Sequence, residues 1–459
     1  MDRQNNIYAF FVLLALLFWN PLTFYALYHT TASYESGLIH SINWVLFFGG
    51  ITVFYLTRKG KLPKRLMDLS LYFNFFTLIF SLLVLVNYAM TPAKSPEKQG
   101  IIFEPNSKAR YQSVEFDFMA NANSLGLRDR EIAVDKGDKY RILCFGDSWT
   151  FGWGVDISAS WPSKLEAFLH AQGLTNVEVI NCGQGGQYTT IYLDYMNKAV
   201  PLLKPNMVIV GVLQGDDLAQ LYEEHFDNSH MKPTNHLNFF QQLFTDTKMY
   251  LLSSVGNVTL PFRNQYTDEL EIKSYWKQSS NFKISQFNHL QYIRFRSLND
   301  SIQSLFKSGD LNPGLLSYYV DFADRQVIFN NPTNPATQFA VKVMDSEIKQ
   351  MKSLCKEHQC ALVFANMPIN FYNGHRVIRT PSDVLNPFLE QNNRIDSIYR
   401  SIAENNALPY IEMTEHFRSL PDKEAYHFIY DGHPNEKGYA EIAQYIGQQL
   451  VSGGLIQKP

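Results

Sequence analysis

Cysteine is scarce in this sequence: Cys144, Cys182, Cys355 and Cys360 are the four in 459 residues. Thiols so few and so scattered exclude a disulfide scaffold and a cysteine-based zinc site. Cys355 and Cys360 are close enough to pair in an oxidising compartment, and equally able to stay unpaired and buried. Net charge is also nearly absent. The chain has 40 Lys and Arg against 43 Asp and Glu, a formal charge of -3 at pH 7. With no basic stripe interleaved with aromatics, the sequence does not read as a nucleic-acid binder. It has no phosphate-cradling glycine loop and no internal repeat. His225, His230 and His236 lack metal-ligand spacing and read as surface residues, so neither a metal nor a cofactor is expected.

Apolar residues are plentiful, at 46% with 14% aromatic, and they are unevenly spread. Three apolar stretches fill the first ninety positions, at about 7–28, 38–56 and 69–90. Each approaches the ~20 residues of a bilayer-spanning helix, so three transmembrane helices are expected over residues 1–90. The first stretch contains Asn20 and Pro21 and also reads as a signal peptide, although Arg3 is its only basic flank. Between the second and third lie Arg58, Lys59, Lys61, Lys64 and Arg65, whereas residues 29–37 carry no Lys or Arg. Positive charge stays inside, so everything after Met90 is expected to be extracytoplasmic.

Residues 91–139 read as a linker and N-terminal extension. The linker is polar with two prolines, and Val114, Phe116 and Phe118 alternate with acidic residues in the manner of a half-buried strand. From residue 140 onward, short apolar runs at 140–145, 177–180, 207–213, 361–365 and 408–411 alternate with helical patterns at 161–172, 338–357 and 386–404. Asn386 and Pro387 look like the cap and first position of the last of these. This is the rhythm of an α/β fold with a parallel sheet covered on both faces, whose ligands bind at the carboxyl ends of the strands.

Those strand ends carry chemistry. After the first come Gly146, Asp147 and Ser148, and after the second the run 181–187, Asn-Cys-Gly-Gln-Gly-Gly-Gln. The third is followed by Gln214, Gly215, Asp216 and Asp217, and near the end stands Asp431-Gly432-His433-Pro434. A serine hydroxyl is a weak nucleophile until a base takes its proton, and His433 is the natural base. Asp431 is placed to hold its tautomer. Backbone N–H groups in a glycine-rich turn suit the oxyanion of a tetrahedral intermediate. The alternative for Ser148 is a hydroxyl that caps the next helix. Asp147 reads as a residue that hydrogen-bonds the turn, and Trp149 and Trp153 as walls of the cleft rather than sugar platforms.

These blocks, in this order, resemble the SGNH hydrolases, also called the GDSL lipase/esterase superfamily, over roughly residues 140–451. The resemblance implies a three-layer catalytic domain over 140–459, with Ser148 as nucleophile, His433 as base and Asp431 as orienting acid. It also implies an oxyanion hole built from Ser148, Gly186 and the position held by Asp216. Two departures stand out. The family's third block places Asn where this chain has Asp216, and an ionised carboxylate cannot donate. Either Asp216 is protonated, or Gln214 or a backbone N–H substitutes, or activity is weakened. The final block is Asp-x-His rather than the commoner Asp-x-x-His. Residues 218–336 form an aromatic-rich insertion, including Phe239, Phe240, residues 249–252, Tyr275 and Trp276. It reads equally as a substrate lid or carbohydrate platform and as added packing. The expected activity is that of a membrane-anchored extracytoplasmic esterase or deacylase acting on an acylated small molecule, glycan or lipid. An O-acyltransferase and a non-catalytic glycan-binding relative are the alternatives.

Overall fold

The computed structural model of the chain describes residues 3–18, 37–69, 100–225, 270–367, 391–422 and 425–456, together with 72, 75, 369 and 372. They fall into two units, one within residues 1–94 and one formed by 95–233 and 269–459.

In the first unit the helices Arg3–Phe18 and Gly37–Arg58 pack against each other. The former covers only the front of the first predicted span and ends before Asn20 and Pro21. The latter covers the second span, but His40, Ser41 and Asn43 dilute its first two turns. The third predicted span lies almost wholly outside the described residues. Among the described residues no helix is long and apolar enough to cross a membrane, so the expectation of three transmembrane helices is not supported.

The second unit is built on a parallel α/β sheet. Its strands are β3 (Tyr140–Gly146), β4 (Val177–Gly183), β5 (Met207–Leu213), β7 (Ala361–Met367) and β8 (Tyr410–Glu412), in the order β4-β3-β5-β7-β8. All seven residues of β4 and of β5 are buried, because both sheet faces are covered. That is why these strands read as continuous apolar runs rather than as alternation. Helices Trp161–Ala171 and Glu436–Ser452 pack on each other, and Thr189–Leu203, Asp216–His225 and Pro335–Glu357 form a second group. Right-handed crossovers assign the two groups to opposite faces. The chain steps from β3 to β4, then crosses back to β5 on the other side of β3. At such a reversal the carboxyl ends of the strands open a crevice. Ser148, the glycine turn after β4 and the Asp216 block after β5 all emerge there.

A second, smaller sheet lies in the same unit. β1 (Lys108–Gln112) pairs antiparallel with β2 (Asp117–Asn121) and parallel with β6 (Leu270–Glu271), in the order β2-β1-β6. The extension and the insertion are thereby joined. The single strand expected around Val114 to Phe118 is instead the turn of this hairpin and the start of β2. Ser113 Oγ accepts from Glu115 N at 3.1 Å and from Phe116 N at 3.3 Å, and Ser113 N donates to Phe116 O at 2.8 Å. These local bonds compete successfully with the ladder. Val114 is left exposed while Phe116 and Phe118 are buried.

Apart from β6 the described part of the insertion is largely helical. The segments Ile272–Ser285, His289–Arg296, Asp300–Ser308 and Leu315–Val320 surround a small core of Phe295, Phe306, Leu316 and Tyr319. Phe239, Phe240 and residues 249–252 lie outside the described residues. The helix predicted from Asn386 begins at Ile395, after a break at residues 392–394, and Asn386 and Pro387 are likewise outside.

At the end of the sheet away from the crevice, Arg141 and Glu178 face each other across β3 and β4 and are almost fully buried. Arg141 Nε donates to Glu178 at 2.7 Å, and its other nitrogens donate to the carbonyls of Ala133, Val134 and Leu203 at 2.7–3.0 Å. Glu178→Ala strands a buried guanidinium, a loss of about 3–5 kcal/mol where such pairs have been broken. A melting-temperature drop on the order of 5–10 °C is expected, with kcat little changed. An unchanged melting curve contradicts this reading of the pair.

Candidate active site

β3 ends at Gly146, and the next residues form a single helical turn, Ser148–Phe151. Asp147 caps that turn: its carboxylate accepts from Trp149 N at 2.9 Å. The capping role considered for Ser148 therefore belongs to its neighbour, and the serine hydroxyl is directed elsewhere. Ser148 Oγ lies 2.7 Å from His433 Nε2. His433 Nδ1 makes a short hydrogen bond to Asp431 Oδ1, and the second carboxylate oxygen accepts from Trp153 Nε1 at 3.1 Å. In this tautomer Nδ1–H donates to Asp431 and Nε2 accepts the serine proton.

The Asp-x-His spacing works through Gly432, whose φ of +84° lies in the left-handed region. A side chain is disfavoured there, and the tight bend lets two residues with one between them meet head to tail. Two bonds close the bend, Phe428 N to His433 O at 2.9 Å and Gly432 N to Phe428 O at 3.1 Å.

The turn after β4 passes alongside Ser148. A Cβ on Gly185 would sit 3.6 Å from the serine Cβ, whereas one on Gly186, at φ +73°, would meet open space. Among the described residues the N–H groups of Ser148 and Gly186 have no backbone partner. Asn181, the first residue of this block, ties the two strand ends together. Its amide donates to Thr150 O at 2.8 Å and its side-chain oxygen accepts from Gly183 N at 2.9 Å.

Gln214 is not an oxyanion donor. Its amide is spent in the core on Asp396 and on Thr414 Oγ1, and its carbonyl accepts from Ile369 N at 2.8 Å. Asp216, half-buried, starts the helix Asp216–His225, and its own N–H donates to Gln214 O at 2.8 Å. Burial raises the Asp216 carboxyl above its ordinary range, against the opposing pull of Arg325 and His433. Arg325 Nη2, from the insertion, lies 3.9 Å from Asp216 and 3.1 Å from Glu223. Asp217 is fully buried, and burial with the nearby Asp147 and Asp216 drives it well above the carboxylate range. Burial likewise pushes Asp147 up to about 7. Carboxyls crowded into one poorly hydrated space cannot all ionise. For His433 burial alone would lower the pKa, but Asp431, then Asp147 and Asp216, outweigh it and the net shift is upward.

Several supporting contacts carried no signal in the sequence. Arg128, almost fully buried, donates to the carbonyls of Phe151, Gly152 and Val155 at 2.5–2.8 Å, pinning the turn that carries Ser148. Burial lowers its pKa to about 10, which leaves it charged at neutral pH. Trp153 stacks on Trp276 of the insertion at 6.3 Å between ring centres and meets Tyr111 of β1 edge-on at 5.0 Å. Trp149 is buried beside His427 and His433. His225 bonds the Leu221 carbonyl at 3.1 Å, and His230 and His236 lie outside the described residues. All four cysteines are free, and Cys360 N donates to Cys355 O at 2.9 Å. Among the described residues no group of three or more His, Cys, Asp or Glu is arranged to hold a metal.

No family model and no curated protein matches the chain. Solved structures do. A lipase/acylhydrolase from Enterococcus faecalis is 13% identical, covering 70% of this chain and 98% of that one, with a TM-score of 0.35. A putative acylhydrolase from Bacteroides fragilis is 13% identical, covering 70% and 89%, with a TM-score of 0.31. A catalytic mutant of an acetylxylan esterase from Geobacillus stearothermophilus is 10% identical, covering 68% and 95%, with a TM-score of 0.33. At TM-scores below 0.5 these likenesses carry no argument about activity, which rests on the geometry of the site itself.

Proposed function

We propose that the second unit is a serine ester hydrolase working through an acyl-enzyme. The observation that carries this is the unbroken chain of hydrogen bonds from Ser148 Oγ through His433 to Asp431. His433 takes the hydroxyl proton as Ser148 attacks the ester carbonyl. Asp431 holds the imidazole and stabilises its charged form. The N–H groups of Ser148 and Gly186 receive the oxyanion. His433 then returns the proton to the departing alcohol, activates water, and the acyl group leaves as the acid. All of this is chemistry of the chain's own residues. The test is turnover of p-nitrophenyl acetate by the full chain, followed by acetate release from O-acetylated polysaccharide. Ester turnover that needs Ser148 is expected. Absence of turnover from pH 6 to 9 overturns the proposal.

Asp216 is the third element of the oxyanion site in this reading, acting as a protonated donor. On this reading activity needs Asp216 protonated and His433 neutral, so it should fall wherever pH rises through the raised pKa of Asp216 and wherever it drops through the raised pKa of His433. Asp216→Asn supplies a permanent amide donor of the same size. It should keep or raise kcat and flatten the high-pH fall in a pH–rate profile. A loss of a hundredfold, about 2.7 kcal/mol of transition-state stabilisation, contradicts the assignment by showing that the carboxylate itself is required.

The substrate class we propose is an acylated glycan or lipid met at a membrane. The first unit supports this, since Phe10, Leu13, Val45, Phe48 and Tyr55 are exposed on its two helices. Such apolar side chains suit contact with lipid. The basic loop at residues 58–65 supports an extracytoplasmic second unit. A reporter active only outside the cytoplasm should work when fused after Pro459 and be silent near Lys61. The reverse pattern overturns the orientation.

A further inference from the structure

We infer that Glu115, at the tip of the β1–β2 hairpin, is a positioning residue that aims the carboxylate of Asp431 at His433. The inference rests on the ester chemistry proposed for this site.

Two consecutive backbone N–H groups of the acid–base loop point at one side chain. Tyr430 N donates to Glu115 Oε1 at 2.9 Å, and Asp431 N donates to Glu115 Oε2 at 2.8 Å. Only a carboxylate offers two acceptor oxygens at this spacing; an amide would turn an NH2 toward one of the two donors. Charge-assisted bonds of this kind are also the strong ones. Asp431 is thus held at three points, its N–H by Glu115, one side-chain oxygen by Trp153 and the other by His433. The preceding carbonyl, Tyr430 O, accepts from Tyr319 of the insertion at 3.0 Å. The Asp431 side chain has little rotational freedom left.

Glu115 is itself held. The turn from Ser113 to Phe116 closes on internal hydrogen bonds, and Val114 N donates to Asp310 O at 3.1 Å. The position is electrostatically expensive. Burial raises the pKa of Glu115, and the neighbouring Asp431 raises it further. A second carboxylate half-buried beside the triad acid is a poor choice for packing alone. It makes sense where two loop N–H groups must be fixed so that Asp431 cannot turn from the imidazole. The contact spans 316 residues of sequence, which makes the extension part of the catalytic apparatus in function.

The test uses the full chain and p-nitrophenyl acetate. Glu115→Ala should lower kcat by about 10- to 100-fold, by comparison with the loss seen when the groups that orient metal-binding side chains are removed. KM should stay within about twofold, because substrate is not touched. Glu115→Gln, which keeps one acceptor and the packing, should lie between Glu115→Ala and the parent. In an Asp431→Ala background neither substitution should cost more than about twofold, because the group being aimed is gone. Melting curves for each variant establish that the fold is retained. If Glu115→Ala does not fold, Glu115→Gln decides. A parental kcat in Glu115→Gln, a loss confined to KM, or an equal loss with and without Asp431 each overturns the inference. Parental turnover in Ser148→Ala is a different failure, since it removes the proposed chemistry itself.

Discussion

Ser148→Ala should abolish measurable ester turnover, a loss on the order of 10³ to 10⁶ in kcat by comparison with other serine enzymes. The hydroxyl removed is the atom 2.7 Å from His433 Nε2. It also donates to Asp147 Oδ2 at a long 3.4 Å, while the local turn is held by the Asp147 cap and by Arg128 on its carbonyls. The melting temperature should therefore move by no more than a few degrees. Activity lost without stability lost is the signature of a reacting group, and far-UV circular dichroism beside initial rates reads both. Turnover near the parental level removes Ser148 from the mechanism.

His433→Ala should be nearly as severe in rate, again on the order of 10³ to 10⁶, but it should differ in stability. Without the imidazole, Asp431 keeps Trp153 and loses its short bond to Nδ1. A buried carboxylate deprived of its partner is costly. The protein should melt lower than the parent, and lower than Ser148→Ala. The two substitutions should not be additive, because nucleophile and base act as one unit. Kinetics on the double variant test this: a rate equal to that of either single variant is expected, and a multiplicative loss contradicts the unit.

Much of this architecture could be read locally. β5 is a run of apolar residues because both of its faces are covered, and its bounds at Met207 and Leu213 follow from that burial alone. Ser148, Asp431 and His433 could be picked out as a chemical set, since a serine needs a base and the base an acid. The sites of failure are equally physical. At Ser113 a side-chain oxygen captured two backbone N–H groups and made a hairpin turn where alternation suggested a strand. Gln214 looked like a free amide at a strand end, yet its partners Thr414 and Ile369 come from distant segments. The roles of Glu115, Arg128 and Trp276 left no trace in any local pattern. Their roles depend on which loops the fold brings together, and a polar network closed across hundreds of residues has no periodicity to detect. In the first unit, apolar length suggested three spans, but among the described residues no helix is long and apolar enough to cross a membrane.

The most direct examination of the active site is covalent. A fluorophosphonate reacts with a serine only when a base has activated it and an oxyanion site receives the developing charge. Full-length protein treated with such a probe and digested for mass spectrometry should carry one adduct per chain, on the peptide containing Ser148. The adduct should be absent from Ser148→Ala and from His433→Ala. A native protein that stays unlabelled, or that carries the adduct on another residue, would show that Ser148, His433 and Asp431 do not form a working nucleophilic centre.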